Sequence, residues 1–139
     1  MYVIDGRIDD SHHEFDAVEV LFMDSIVPSF CTSPPEYRHP TAVASPVNGV
    51  AKKPTVVSVQ AGTWEDRKCA SATVIREALK KILADIVDKG RQKTSVVNLA
   101  WSQPDLNACE ALRWYLQRFW LTGITVVNSA GNQNDDVQY

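Results

Sequence analysis

The sequence has few cysteines, few glycines, no long apolar run and no excess of basic residues. Its three cysteines, Cys31, Cys69 and Cys109, form an odd set without Cys-x-x-Cys spacing, which argues against a disulfide framework and a zinc knuckle. Six glycines in 139 residues exclude collagen-like repeats. Fourteen lysines and arginines against 17 aspartates and glutamates give a net charge of -3, which leaves no basic stripe for nucleic acid. No apolar run reaches the roughly 18 to 20 residues that a membrane-spanning helix needs.

What the sequence does contain is the material for one folded domain. Its 139 residues are 45% hydrophobic and 22% charged, which is close to the globular average. This length supports one compact core and is too short for two domains of ordinary size. Met1 leads directly into Tyr2-Val3-Ile4 without a charged leader, so no signal peptide is expected. The sequence does not predict a cellular compartment.

Short runs of apolar and β-branched residues, bounded by turn-forming residues, predict five strands. The runs are 2–4, 17–23, 55–59, 95–100 and 124–128. Because helical patterns separate several of these runs, the crossovers favour a parallel sheet covered by helices on both faces. We therefore predict an α/β fold, a three-layer doubly wound and mostly parallel sheet. The proline-containing stretch 24–38 is predicted as a surface loop.

Three helices are predicted between these strands. Apolar residues at helical spacing run from Thr73 to Lys89, and Gly90 supplies a C-terminal stop. A second long helix follows Asp105, which is a plausible N-cap. Residues 39–51 favour a shorter helix that Pro46 interrupts, because proline removes an internal hydrogen bond.

Two residues stand where chemistry is expected in such a fold. Ligands gather at the carboxyl ends of parallel strands, and Asp5 lies at such an end while His39 begins the short predicted helix. A carboxylate and an imidazole together form the orienting half of a nucleophilic triad. Taken alone, such a pair is more often a strand-end carboxylate and a helix-capping histidine. The functional interpretation of the pair therefore depends on the sequence motifs around it.

The segments around Asp5 and His39 resemble those of the subtilisin-like serine proteases. Residues 3–8, Val-Ile-Asp-Gly-Arg-Ile, with His-His-Glu-Phe at 12–15, resemble the family's Ile-Asp-Thr-Gly turn and the His-Pro-Glu-Phe-like stretch that follows it. Residues 39–45, His-Pro-Thr-Ala-Val-Ala-Ser, resemble its His-Gly-Thr-His-Val-Ala segment.

Later segments continue the same resemblance in the family's order. Residues 49–59 are similar to the segment after the histidine, especially in the fungal proteinase K-like branch. Residues 96–101, Val-Val-Asn-Leu-Ala-Trp, resemble the Val-Val-Asn-Met-Ser-Leu-Gly strand. Residues 123–132 resemble Gly-Ile-Val-Val-Val-Ala-Ala-Ala-Gly-Asn. The resemblance covers the whole chain and implies a subtilisin-like fold.

The resemblance also implies roles for individual residues. Asp5 would hold the Nδ1 proton of His39, His39 would take the proton of a serine hydroxyl, and the Asn132 side chain would donate to the developing oxyanion. The segment that would lie along the substrate backbone is Ala100, Trp101 and Ser102. The family's Gly-Thr-Ser-Met-Ala segment, which carries the nucleophile, has no match here. Residues 1–139 are therefore predicted to be the N-terminal part of such a domain, inactive as an isolated chain.

Some positions depart from the family pattern. Arg7 follows Gly6 where the family has Thr-Gly, so we expect Arg7 to compete with His39 for the carboxylate of Asp5. Pro40 replaces a glycine, which is compatible with His39 as the helix N-cap. Ser102 replaces another glycine, and its side chain disfavours close approach of a peptide backbone.

Other chemistry-bearing residues have structural interpretations. The adjacent side chains of the stretch 12–14, His-His-Glu, point apart, so solvated polar residues are favoured over a metal site. Cys69 and Cys109 are predicted to be buried and structural. We predict no metal and no cofactor. The aromatic residues of the second long helix are expected in the core or in a buried interface, and they form an exposed apolar patch if a covering segment is lacking. They are Trp114, Tyr115, Phe119 and Trp120.

The sequence is consistent with three functions. The first is a subtilisin-like serine endopeptidase domain that uses an Asp-His-Ser triad. The second is a non-catalytic, protease-derived interaction or decoy module, motivated by the joint loss of the serine, the Thr-Gly pair and the glycine-lined strand. The third is an ordinary doubly wound domain with chance motif matches. The predicted partners are a polypeptide substrate or a protein partner, with no nucleic acid and no membrane. Self-association through an exposed aromatic or sheet-edge surface is a further hypothesis.

Overall fold

The fold is built on a five-stranded parallel sheet. The computed structural model describes residues 1–27, 37–51, 54–62, 71–101 and 106–130. The strands are β1 (Tyr2–Asp5), β2 (Glu19–Phe22), β3 (Thr55–Gln60), β4 (Val96–Leu99) and β5 (Thr125–Asn128). They are ordered β2-β3-β1-β4-β5, and every neighbouring pair is parallel. This arrangement confirms the predicted α/β class, and it puts β1 in the middle of the sheet.

Helices cover both faces of the sheet. They are α1 (Arg38–Ala44), α2 (Val47–Val50), α3 (Ala72–Asp88) and α4 (Leu106–Leu121). Alternating side chains of β1 enter two separate cores: Tyr2 and Ile4 pack with α3 and α4, whereas Val3 packs with Ala44 of α1. Because successive side chains of a strand point to opposite faces, this division defines the three layers of the fold.

Helix α3 is the most regular element and begins one residue before its predicted start. The hydroxyl of Ser71 caps it by accepting a hydrogen bond from the amide of Val74 at 3.4 Å. Gly90 follows its end with φ of 62°, a left-handed conformation that glycine adopts without a Cβ clash. The buried side chains of α3 are Val74, Ile75, Ala78, Leu79, Ile82 and Ile86. Their 3.6-residue period is what the sequence pattern predicts.

A partly buried polar network joins β1 to α3. Tyr2 is 2% exposed, and its hydroxyl donates a 2.5 Å hydrogen bond to Asp85 Oδ2. Lys89 Nζ lies 2.7 Å from the other oxygen of Asp85. Burial and the bond to the Asp85 carboxylate raise the pKa of Tyr2 far above its usual value. Burial opposes ionisation of Asp85, but the hydrogen bonds from Lys89 and Tyr2 outweigh it and lower the pKa of this carboxyl.

Pro46 divides residues 38–50 into two short helices, as the sequence predicts. Helix α1 ends at Ala44, and Pro46 precedes the four residues of α2. The position of His39 differs from the prediction: α1 begins at Arg38, so His39 is inside the first turn and is not the N-cap. Pro40 is still accommodated there, because the first four amides of a helix have no partner within it.

Helix α4 divides its aromatic residues between the core and the surface. Phe119 is fully buried at 0% exposure, and Tyr115 is half-buried against the same core. Trp114 and Trp120 are 55% and 78% exposed. The core alternative is therefore correct for Phe119, whereas the two tryptophans are exposed on this chain, as the interface and exposed-patch alternatives require. The predicted N-cap Asp105 lies outside the described residues.

Candidate active site

The candidate site begins with Asp5, at the carboxyl end of the central strand. Its side chain is 10% exposed. Oδ1 accepts a 2.7 Å hydrogen bond from the amide of Gly6, and the carbonyl of Asp5 accepts a bond of 2.9 Å from the amide of Ala61, the residue that follows β3. The carboxylate is held in position because β1 has a strand on each side and the Gly6 amide binds one of its oxygens. The other oxygen, Oδ2, points to the surface helix α1.

His39 meets that oxygen from the first turn of α1. Its Nδ1 lies 2.7 Å from Asp5 Oδ2, and its side chain is 52% exposed. An ionised carboxylate only accepts hydrogen bonds, so in the neutral imidazole Nδ1 carries the proton and Nε2 is the basic nitrogen. An imidazole oriented in this way is suited to general-base catalysis on a group at Nε2.

Thr41 holds α1 in place over β1, a role that the sequence analysis did not assign. Its hydroxyl accepts a 3.0 Å hydrogen bond from the amide of Asp9, in the loop that follows β1. The amide of Ile8 in the same loop donates to the hydroxyl of Ser58 at 3.3 Å. Thr41 and Ser58 are both buried. The available signal was a hydroxyl residue followed directly by three apolar residues of the same helix, which suggests a buried position with a hydrogen-bond partner.

Arg7 is directed to a different partner from the one predicted. Its guanidinium carbon lies 4.5 Å from the centroid of the Phe22 ring at the end of β2, a distance typical of a cation-π contact. Among the described residues, Arg7 forms no salt bridge with Asp5 within 4.0 Å, while Asp5 Oδ1 accepts from the Gly6 amide and Oδ2 lies against His39 Nδ1. The exposed aromatic ring gives the cation a favourable site without a carboxylate.

A cleft of about 260 Å³ adjoins this region of the chain. Ser11 donates to Asp9 Oδ1 through its hydroxyl at 2.6 Å and its amide at 3.1 Å, and these bonds lower the pKa of Asp9. The cleft is lined by Arg7, Asp9, Asp10, Ser11 and Tyr37. A larger cavity of about 470 Å³ lies beside Gln92–Thr94 and Thr122, at the opposite, amino ends of β4 and β5.

The other predicted site residues are only partly described. Ala100 and Trp101 follow β4 directly, so they lie at the same edge of the sheet as Asp5, and both are half-buried. Trp101 packs against the core under α3 and α4. Ser102 and Asn132 lie outside the described residues. The structure thus brings Asp5 and His39 into contact and places Ala100 and Trp101 at their edge.

The remaining candidates do not form a site within the described part of the chain. His12 accepts a 3.3 Å hydrogen bond from the amide of Glu14 through Nδ1, and His13 Nε2 lies 3.5 Å from a carboxylate oxygen of the same glutamate. Over the described residues, no group of three histidine, cysteine, aspartate or glutamate side chains could hold a metal ion. Cys31 and Cys69, and the side chain of Cys109, are outside that description. None of the helices described there is long and apolar enough to cross a membrane.

Comparison with known proteins adds a resemblance that extends over nearly the whole chain. No protein-family model matches the sequence. Two subtilisin-like proteases of Coccidioides posadasii are each 31% identical to it, over 141 and 137 aligned residues. Each alignment covers 97% of this chain and 32% of the relative. The chain thus spans about a third of the length of these curated relatives, and it is similar over that third to proteins named as proteases.

Proposed function

We propose that this chain is a subtilisin-like protease domain represented by its N-terminal part, and that it supplies the acid-base pair of a serine endopeptidase site. The observation that carries the proposal is the 2.7 Å contact between His39 Nδ1 and Asp5 Oδ2, at the carboxyl edge of a parallel sheet. In this proposal, Asp5 selects the imidazole tautomer and stabilises the imidazolium that forms during the reaction. The similarity to two proteins named subtilisin-like proteases supports the same assignment.

The pair has the geometry for a base but needs a nucleophile. The proposed reaction requires a serine hydroxyl at His39 Nε2, and no segment of residues 1–139 matches the family's nucleophile motif. Asn132 is proposed as the oxyanion donor on the resemblance of its segment alone. We therefore expect the isolated chain to be unreactive toward a fluorophosphonate probe and toward peptide substrates.

A chimera tests the proposed roles in a context that contains a nucleophile. Residues 1–139 would replace the aligned third of one Coccidioides relative, and peptide hydrolysis would be measured with a fluorogenic substrate. We expect activity in the chimera, and a loss of about 10⁴-fold or more on His39→Ala and on Asp5→Asn. His13→Ala is the matched control, because His13 is exposed and contacts Glu14 instead of Asp5.

Two outcomes would contradict the proposal. A folded chimera that retains activity after His39→Ala would show that another group is the base. A folded but inactive chimera would favour the interaction module, and a stoichiometric protein partner retained by His39→Ala would then identify its function. Labelling of the isolated chain that disappears on His39→Ala would support the role of the base and contradict the expected inactivity.

A further inference from the structure

The outer face of α4 presents a row of exposed residues that the proposed protease function does not use. Residues 110, 114, 118 and 121 are spaced by four, four and three positions, so they lie on one side of the helix. Leu112 and Phe119, on the other side, are buried at 4% and 0% exposure. We call the row Glu110, Trp114, Arg118 and Leu121 the α4 stripe. Trp114 and Leu121 are 55% and 68% exposed, and Glu110 and Arg118 are exposed as well.

Two residues of opposite charge lie at equal distances along the helix on either side of Trp114. Glu110 lies four residues before the tryptophan and Arg118 four residues after it. Arg118 extends toward the ring, with its guanidinium carbon 5.5 Å from the Trp114 centroid. Across the described residues, neither Glu110 nor Arg118 forms a salt bridge within 4.0 Å. Two opposite charges thus flank an exposed aromatic ring.

This pattern is complementary to itself in one orientation. If two copies of α4 lie antiparallel and cross at Trp114, Glu110 of each copy lies opposite Arg118 of the other. Both ion pairs are formed at once by a two-fold axis, which is the condition for an isologous interface. In a parallel arrangement, like charges would face each other instead. Tryptophan at the centre and arginine at the rim are residue types that protein interfaces favour.

We propose that the α4 stripe is a homodimer interface, in which a second copy of this chain docks antiparallel across Trp114. The proposal goes beyond the protease assignment and does not depend on it, because no residue of the α4 stripe belongs to the Asp5–His39 site. The charge pattern favours a second copy as the partner, because Glu110 and Arg118 of one copy can pair with Arg118 and Glu110 of the other.

Analytical ultracentrifugation of the purified chain tests the proposal. We expect a monomer-dimer equilibrium over about a hundredfold range of protein concentration. Trp114→Ala should weaken the dimer by at least about tenfold, because central aromatic residues dominate such interfaces. Glu110→Arg and Arg118→Glu should each weaken it as well, because each places like charges opposite one another. The double variant Glu110→Arg/Arg118→Glu should restore the dimer.

The matched control is Trp120→Ala. Trp120 is 78% exposed on the same helix but lies about 100° around the axis from Leu121, outside the α4 stripe. We expect Trp120→Ala to leave the dimer intact, and circular dichroism to show all variants folded. A monomer at every concentration would overturn the proposal and leave the face to a different partner. A dimer that is insensitive to Trp114→Ala, or single charge reversals that the double variant does not rescue, would overturn it equally.

Discussion

Replacing Tyr2 by phenylalanine isolates the hydroxyl that links the central strand to α3. The ring of Tyr2 is buried, so Tyr2→Phe keeps its apolar contacts and removes only the bond to Asp85. A hydrogen bond to a charged group contributes about 1.5 to 3 kcal/mol to stability. Because the Asp85 side chain is 25% exposed and keeps Lys89, we expect the lower value. For a chain of this size, about 1.5 kcal/mol corresponds to a fall in Tm of about 5 °C.

The loss should depend on pH because two pKa values are involved. The pKa of Asp85 is lowered in the fold, so the stability it contributes is present above its unfolded pKa of about 3.9 and is lost as the pH falls through the folded value. The pKa of Tyr2 is raised, so its contribution is present below the unfolded pKa of about 10 and is lost as the pH rises above it. The difference between wild type and Tyr2→Phe should therefore be greatest near neutral pH and should shrink at both extremes.

Urea unfolding followed by tryptophan fluorescence measures this difference. A double-mutant cycle with Asp85→Asn separates the interaction of the pair from the effect of each substitution. Equal stability of wild type and Tyr2→Phe at neutral pH would refute the reasoning. So would an undiminished difference under acid conditions, because that result would show that the charge of Asp85 does not strengthen the bond.

Two further substitutions test the packing and the turns. Phe119→Ala should lower the free energy of unfolding by about 3 to 5 kcal/mol, because the ring is fully buried between α4 and the sheet; urea unfolding that shows less than half this loss would contradict the packing. Gly90→Ala should cost about 1 to 2 kcal/mol, because Gly90 has φ of 62° and the Cβ of alanine strains this conformation. Gly49→Ala is its control, since Gly49 has no positive φ and a Cβ there meets no atom within 4 Å.

The sheet and its helices were predictable because their signals are local and repeated. β-Branched runs such as 55–59 and 124–128 form strands of the parallel sheet, the first buried and the second at an exposed edge, and the apolar period of α3 fits one buried face. The break at Pro46 follows from the chemistry of proline alone. These features depend on residues close together in the chain, so the sequence contains the information needed to place them.

The errors concern side chains whose environment is set by distant residues. The N-cap of α1 was misplaced by two residues, at His39 instead of Tyr37, because Tyr37 makes no side-chain capping bond and gives no sequence signal. Arg7 was expected to bind Asp5, but the strand order brings Phe22 within its reach. The exposure of Trp114 depends on which elements cover α4, and helical spacing does not contain that information.

The central position of β1 divides the Asp5–His39 pair into a fixed half and an adjustable half. Asp5 belongs to the strand that the rest of the sheet encloses, whereas His39 is carried by seven helical residues that end two positions before a proline. Substitutions that shift this helix, such as loss of the Thr41 hydroxyl that anchors it to the loop after β1, would move the imidazole relative to the carboxylate. Variation in this protein can therefore tune the alignment of the pair from the surface, without any alteration of the strand beneath it.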